Sequence, residues 1–300
     1  MTTRGRALVR QLVGVDGATN IAASTAWPAA RELVAATFYG REMEADADRR
    51  DARASALAGT AWQLRVLSGW LPPGRSVLCR LGGGPIEISN ITGRLDSVDG
   101  ATRAPLIPLG SLAGISVRAL RSGSPDQLRR GLAASVWGDP RSVVREAIIF
   151  HLRAAWLARI ARSAPWASRW SSGAAAVLIA RERFSFGREP AEPAARLIDE
   201  LVGARWRRVE HLEELALRLP RVASWAIDGI ASSSELWLAE IRVARAIAED
   251  AQTWVASGAH SERAATGIVA LLLLDLRRTL AAIDLAATGP FSPEVLDAMA

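Results

Sequence analysis

No stretch of this chain alternates apolar and polar residues at a period of two for more than a pair of positions, so nothing in it reads as a half-buried strand. Apolar residues recur instead every three or four positions over long runs. Those runs stop at Pro72-Pro73-Gly74, Gly82-Gly83-Gly84-Pro85, Gly203, Pro220, Ser232-Ser233-Ser234 and Gly289-Pro290. The fold class is therefore all-α, with stacked helical bundles. Composition agrees, because Ala, Leu and Arg, all strong helix formers, dominate. Half of the 300 residues are hydrophobic, which suits a packed core rather than disorder. A chain of this length has room for one large domain or two to three smaller ones.

Local signals set the expected helix ends. Pro28 is placed as the first residue of a helix, and Arg31 to Leu71 then reads helical almost throughout, although charge dominates between Arg41 and Arg53. Ser124-Pro125 and Asp139-Pro140 each read as an N-cap followed by proline at the first helical position. The second opens an amphipathic stretch from Arg141 to Arg162, with Val144, Ile148, His151 and Leu152 on one face. Shorter helices are expected at 75–81, 86–98, 194–203, 205–219, 221–231 and 235–257. A last long helix is expected from Ser261 to Thr288.

The chain offers few groups for chemistry. Its 37 basic residues are all arginine, spread along the sequence and interleaved with acids, as in Arg41-Glu42-Met43-Glu44. The net charge of +6 permits a nucleic-acid partner without demanding one, and a solvated mixed-charge surface accounts for it. Gly82-Gly83-Gly84 invites a phosphate-loop reading, but that loop needs a lysine and the chain has none. Cys79 stands alone, which excludes an intrachain disulfide and a cysteine-based zinc site. His151, His211 and His260 lack ligands at metal-binding spacing, and His151 reads as a core residue. Arg207, Arg208 and Arg218 lie at ion-pair spacing from Glu210, Glu213 and Glu214. No nucleophile or cofactor motif accompanies them, so no enzyme and no cofactor are expected. The N-terminal stretch carries no signal-peptide pattern, and the longest apolar run, Gly267 to Leu274, is short of a membrane span.

The most informative stretch is Arg75 to Leu112. At its centre Glu87 and Asn90 sit three residues apart on one helix face, beside an apolar face of Ile88, Ile91 and Leu95. After Asp99-Gly100 comes Leu106-Ile107-Pro108-Leu109-Gly110, a rigid run that cannot continue a helix. Acidic helix positions also recur at Glu87, Glu182 and Asp275, about 95 residues apart, an interval that suits three copies of one helical domain.

These residues resemble the family of C-type rotor subunits of the rotary V-type and A-type ATPases, called d-type in eukaryotic versions. That family carries an E-x-x-N-(I/L) helix followed by a connector close to L-x-P-L-G. The matching positions are Glu87, Asn90 and Ile91, then Leu106, Pro108, Leu109 and Gly110. The stretches Gly267 to Arg278 and Phe291 to Leu296 look like the family's last helix and tail, with Arg278 where Asn is usual. The resemblance implies three similar helical domains in a pseudo-threefold, funnel-like arrangement, with boundaries here near 1–105, 106–190 and 191–300. It also implies a non-catalytic rotor component joining the central stalk to the membrane proteolipid ring. Such a protein would be cytoplasmic and reach the membrane only through partner subunits. Glu87, Asn90, Pro108, Gly110 and Asp275 are then structural residues. An Arg-rich nucleic-acid-binding regulator and a helical enzyme with an unfamiliar site are the other readings.

Overall fold

The computed structural model describes residues 2–71, 74–98, 105–121, 123–257 and 261–288. The turn expected at Asp99-Gly100, His260 and the tail from Gly289 to Leu296 lie outside them. Among the described residues every regular element is helical and there is no strand. The α-helices are α1 (Thr2–Val9), α2 (Gly14–Ala22), α3 (Trp27–Ala35), α4 (Arg49–Gly69), α5 (Ser76–Gly82), α6 (Gly84–Val98), α7 (Val117–Leu120) and α8 (Pro125–Ala133). They continue as α9 (Arg145–Ser163), α10 (Ser168–Ala180), α11 (Glu192–Val202), α12 (Leu212–Arg218), α13 (Arg221–Ser224), α14 (Leu236–Ala256) and α15 (Glu262–Leu285). None of these helices is long and apolar enough to cross a membrane.

Packing divides the chain into two compact units. The first is Met1–Gly83, Ile107–Leu112 and Ala244–Ala300; the second is Gly84–Leu106 and Ala113–Val243. These units cut across the boundaries expected near residues 105 and 190, because 84–106 belongs to the second unit and 244–300 to the first. In the first unit α15 lies against α1, α2, α4 and α5, and α4 packs on a short 3-10 turn, Phe38–Gly40. Ile21, Val34, Leu64, Ile268 and Leu272 are buried there. In the second unit α9 is flanked by α6, α10 and α11, and α7 packs on α8. Its core joins Ile88, Ile91 and Leu95 of α6 to Ile115, Leu128, Leu132, Trp137, Ile148 and Leu152. The apolar face read from the sequence of α6 is thus the face that packs.

Capping explains several helix ends. Ser124 and Ser261 accept from the backbone N–H groups of Gln127 (3.3 Å) and Ala264 (3.1 Å), which satisfies a donor that the first turn would otherwise leave open. Several expectations need correction. The run from Arg31 to Leu71 is not one helix, because α3 stops at Ala35 and α4 begins at Arg49. Thr37 turns extended there. Its hydroxyl donates to the Val34 carbonyl (2.7 Å) and accepts from the Tyr39 N–H (3.1 Å), replacing helical bonds. Asp48 then caps α4 through the Asp51 N–H (2.9 Å).

Asp139-Pro140 does not open a helix either. The Asp139 carboxylate accepts from the Arg141 N–H (2.8 Å) and from the Arg129 guanidinium (2.9 and 3.0 Å), while Arg141 adopts φ +50°. That side-chain turn holds the backbone out of the helical region until Val144, and α9 starts at Arg145. Farther on, α13 spans only Arg221–Ser224. Arg207 pairs with Asp199 (2.6 Å) and Glu192 (2.9 Å) of α11 rather than with the expected glutamates. The reason is that Ala204–Arg208 forms a separate 3-10 turn, so the helical spacing from Arg207 to Glu210 is lost.

Gly59 marks a close approach between α4 and the Phe38 turn in the first unit. A Cβ there would lie 2.7 Å from the Phe38 carbonyl oxygen, a backbone atom that cannot rotate away. Gly59→Ala should therefore lose about 1–3 kcal/mol by overpacking, despite a helix-propensity gain of about 1 kcal/mol. Chemical denaturation measures the balance; a variant more stable than the parent would show that α4 and the Phe38 turn can separate freely.

Candidate functional site

Glu87, Glu182 and Asp275 are the buried carboxylates among the described residues. Removing an ionised group from water is costly unless donors surround it, so each one's partners decide what it does.

Glu87 lies on α6, and its carboxylate accepts from the Gly114 N–H (2.7 and 3.0 Å), the Ile115 N–H (3.0 Å) and the Trp137 indole N–H (2.7 Å). Burial raises its pKa above the ordinary carboxylate value, and those N–H groups together with the Arg159 charge pull it back. Asp275 lies on α15 and accepts from the Val13 N–H (2.9 Å), the Gly14 N–H (2.7 Å) and the Tyr39 hydroxyl (2.8 Å). Burial, then the adjacent Asp275 charge, push the Tyr39 phenol well above its usual value, which keeps it a neutral donor. The two arrangements share one plan: a helix-borne carboxylate, two successive backbone N–H groups before a short helix, and one aromatic donor.

The aromatic donors are presented by matching turns. Val34-Ala35-Ala36-Thr37-Phe38-Tyr39-Gly40 and Leu132-Ala133-Ala134-Ser135-Val136-Trp137-Gly138 lie 98 residues apart (34 to 132) and end α3 and α8. In the second turn the Ser135 hydroxyl donates to the Leu132 carbonyl (2.7 Å) and accepts from the Trp137 N–H (3.2 Å), repeating what Thr37 does in the first. The hydroxyl bends the chain so that the aromatic points inward. Both Tyr39 and Trp137 are buried. His151 is buried too, and its Nε2–H donates to the Trp137 carbonyl at 2.9 Å, the sense a carbonyl acceptor requires.

Glu182 follows the plan in part. It sits in one turn of π-helix, Arg181–Ser185, after α10, and accepts from Arg188 Nε (2.8 Å) and Nη2 (3.3 Å). The segment against α10 is α13 and the turn after it, where a Cβ on Gly173 would lie 2.6 Å from the Trp225 ring. Val222-Ala223-Ser224-Trp225-Ala226-Ile227 runs parallel to Ala133-Ala134-Ser135-Val136-Trp137-Gly138. The Ile227 N–H to Ser224 carbonyl bond (3.1 Å) matches that from Gly138 to Ser135 (3.4 Å). Ala226 stands where the aromatic donor would be. Arg188 supplies the bonds instead.

The motif residues fall in different places. Asn90 is buried on α6, one turn beyond Glu87. The Pro108 carbonyl accepts from Arg65 of α4, and Gly110 takes φ +56°, a left-handed conformation open to glycine at little cost. Pro108, Gly110 and Asp275 belong to the first unit, Glu87 and Asn90 to the second. The partners of Glu87 and Asp275 were not anticipated from sequence, although the two seven-residue turns were readable as a repeat.

Each clamp surrounds an acceptor with donors alone, which suits holding rather than proton transfer. Among the described residues no group of three or more His, Cys, Asp and Glu side chains could hold a metal. Burial pushes the Cys79 thiol up to about 12, so it is not a ready nucleophile. Comparison with protein-family models, with curated proteins and with solved structures finds no match to this chain.

Glu87→Gln and Asp275→Asn each turn one carboxylate oxygen into an amide donor facing N–H groups. Each should lower unfolding free energy by about 1–3 kcal/mol, and Trp137→Phe by about 1–2 kcal/mol. Denaturant melts that leave all three unchanged would mean the clamps carry no stability. A pH test separates His151. Burial lowers its pKa below the ordinary 6.5, so the unfolded chain binds the proton more readily. Its contribution is complete above about pH 6.5 and is lost as pH falls through the lower folded value. Between about pH 7 and about pH 5, the melting temperature of the parent should drop further than that of His151→Gln, which keeps a donor but does not titrate.

Proposed function

We propose that this chain is the non-catalytic rotor subunit of a V/A-type ATPase, coupling the central stalk to the membrane proteolipid ring. The observation that carries the proposal is the recurrence of the carboxylate clamp at the interval seen in the sequence. Asp275 and Glu87 have the same kinds of donor, and Glu182 is buried at the intermediate position, just after a helix that packs on a turn of similar sequence. Three such copies suit three similar helical domains about an approximate threefold axis, the arrangement that the Glu87-Asn90 helix and the Leu106–Gly110 connector lead one to expect. One clamp falls in the first unit; the other two acids fall in the second.

The role asked of such a rotor component is mechanical. A body that transmits torque needs helices joined by contacts that do not slide, and buried charge-assisted hydrogen bonds give fixed register where apolar contacts alone would tolerate movement. Nothing in that role needs a nucleotide.

The test is assembly. Mixed with its cognate central-stalk subunits and proteolipid ring, the purified chain should form a discrete complex on size-exclusion chromatography and show no ATPase activity alone. Weakening of that complex by salt would indicate arginines facing acids across the contact. If the chain ignores both partners yet binds duplex DNA with a steep salt dependence, the rotor reading fails and a nucleic-acid-binding regulator takes its place.

A further inference from the structure

We infer that Asp228-Gly229 is a site of spontaneous backbone isomerisation, and that Arg242 is placed to promote the reaction and hold its product. This does not rest on the rotor reading. In the reaction the glycine nitrogen bonds to Cγ of the preceding aspartic acid. One side-chain oxygen leaves as water, taking the acid proton and the amide proton, and a five-membered imide is left. Water then opens the imide at either carbonyl. One opening restores aspartate. The other leaves the backbone running through Cγ, an isoaspartate with one more methylene in the main chain and its former backbone carbonyl carbon now a free carboxylate. Nothing is gained or lost overall. The step needs a reachable Asp side chain, a glycine nitrogen not tied up in a hydrogen bond, and a backbone that can leave the helical region.

The sequence has three Asp-Gly pairs, and Asp99-Gly100 lies outside the described residues. Asp16-Gly17 sits inside α2, where ψ is held near the helical value of about −42° and the following nitrogen points away from the carboxyl. Asp228-Gly229 differs on every count. Both residues are exposed and belong to the run of turns that follows α13. Gly229 takes φ +72°, and a Cβ there would meet nothing within 4 Å. Its N–H donates to none of the described residues, whereas the Ile227 and Ile230 amides on either side are bonded to the Ser224 and Ile227 carbonyls (both 3.1 Å). Arg242 of α14 reaches into this turn, and its Nη1 donates to the carbonyls of Trp225 (3.2 Å), Ala226 (3.3 Å) and Asp228 (2.7 Å). The last is the carbonyl of the Asp228-Gly229 peptide itself. A cation bonded to a peptide oxygen draws density from the amide, so the Gly229 nitrogen gives up its proton more easily and attacks better. The same oxygen becomes part of the free carboxylate of isoaspartate. Arg242 therefore exchanges a carbonyl partner for a carboxylate, a stronger acceptor.

Ageing of the full native chain in warm, near-neutral buffer tests this, with isoaspartate located by peptide mapping and electron-transfer fragmentation. Isoaspartate should accumulate at Asp228 at least tenfold faster than at Asp16. In the urea-unfolded chain the two sites should react alike, because only the fold distinguishes them. Arg242→Gln should slow conversion of Asp228 severalfold in the native chain and leave the unfolded rate unchanged. Hydrogen exchange of the Ile227 and Ile230 amides reports whether that variant keeps the turn intact. Where it loosens the turn, a second pair of variants decides with Arg242 in place. Asp228→Asn and Asp16→Asn form the same imide with loss of ammonia, read as the mass change from amide to acid, and Asp228→Asn should convert at least tenfold faster. Equal conversion at positions 16 and 228 in the native chain overturns the inference. So does undiminished conversion in Arg242→Gln while the Ile227 and Ile230 amides stay protected.

Discussion

A carboxylate enclosed by donors is the interaction on which this helical chain depends. Water is removed from Glu87 and Asp275, and the lost hydration is offset only because backbone N–H groups and one aromatic donor converge on each acid. The convergence fixes three things at once. It sets the rotation of α6 and α15 about their axes, the entry of the loops before α7 and α2, and the rotamers of Trp137 and Tyr39. Ala-rich helices pack closely but give little register by themselves, since small apolar surfaces fit in several ways. The clamps supply the register.

Parts of this arrangement were legible in the sequence. Helical periodicity gave the fold class, Ser124 and Ser261 gave their helix starts, and Ile88, Ile91 and Leu95 gave the packed face of α6. The acids 87, 182 and 275 stood out by interval alone, and all three are buried. Their partners were not legible, for a physical reason. A backbone N–H has no residue identity, and the groups that meet Asp275 come from the far end of the chain. The aromatic turns could have been found, because the hydroxyl, the aromatic and the glycine recur in order. They are short and set among alanines, which hides them in an Ala-rich chain. Two of the helical runs read incorrectly share one cause. Thr37 and Asp139 bond to nearby backbone N–H groups, and such local bonds compete with helix while leaving the apolar period intact.

Glu182 shows how a repeated plan can lose one part and keep the rest. With Ala226 in the aromatic position, the acid relies on a guanidinium six residues ahead, and the helix adjusts through a π-turn that brings the Arg188 N–H onto the Glu182 carbonyl (2.9 Å). A neutral long-range donor has been exchanged for a charged local one. The contact is easier to form as the chain folds, and it ties together less of the molecule.

The arginines hold one more consequence. Several have their guanidinium over an indole ring: Arg4 over Trp70 (4.4 Å), Arg41 over Trp62 (4.7 Å) and Arg169 over Trp225 (4.2 Å). A guanidinium can stack in this way and an ammonium cannot, so lysine would not replace these residues at equal strength. With no lysine anywhere in the sequence, the chain gives lysine acetylation, lysine-directed ubiquitin transfer and side-chain amine cross-linking nothing to act upon. Chemical modification after synthesis finds guanidiniums, acids, hydroxyls, imidazoles and one thiol in place of amines on the side chains.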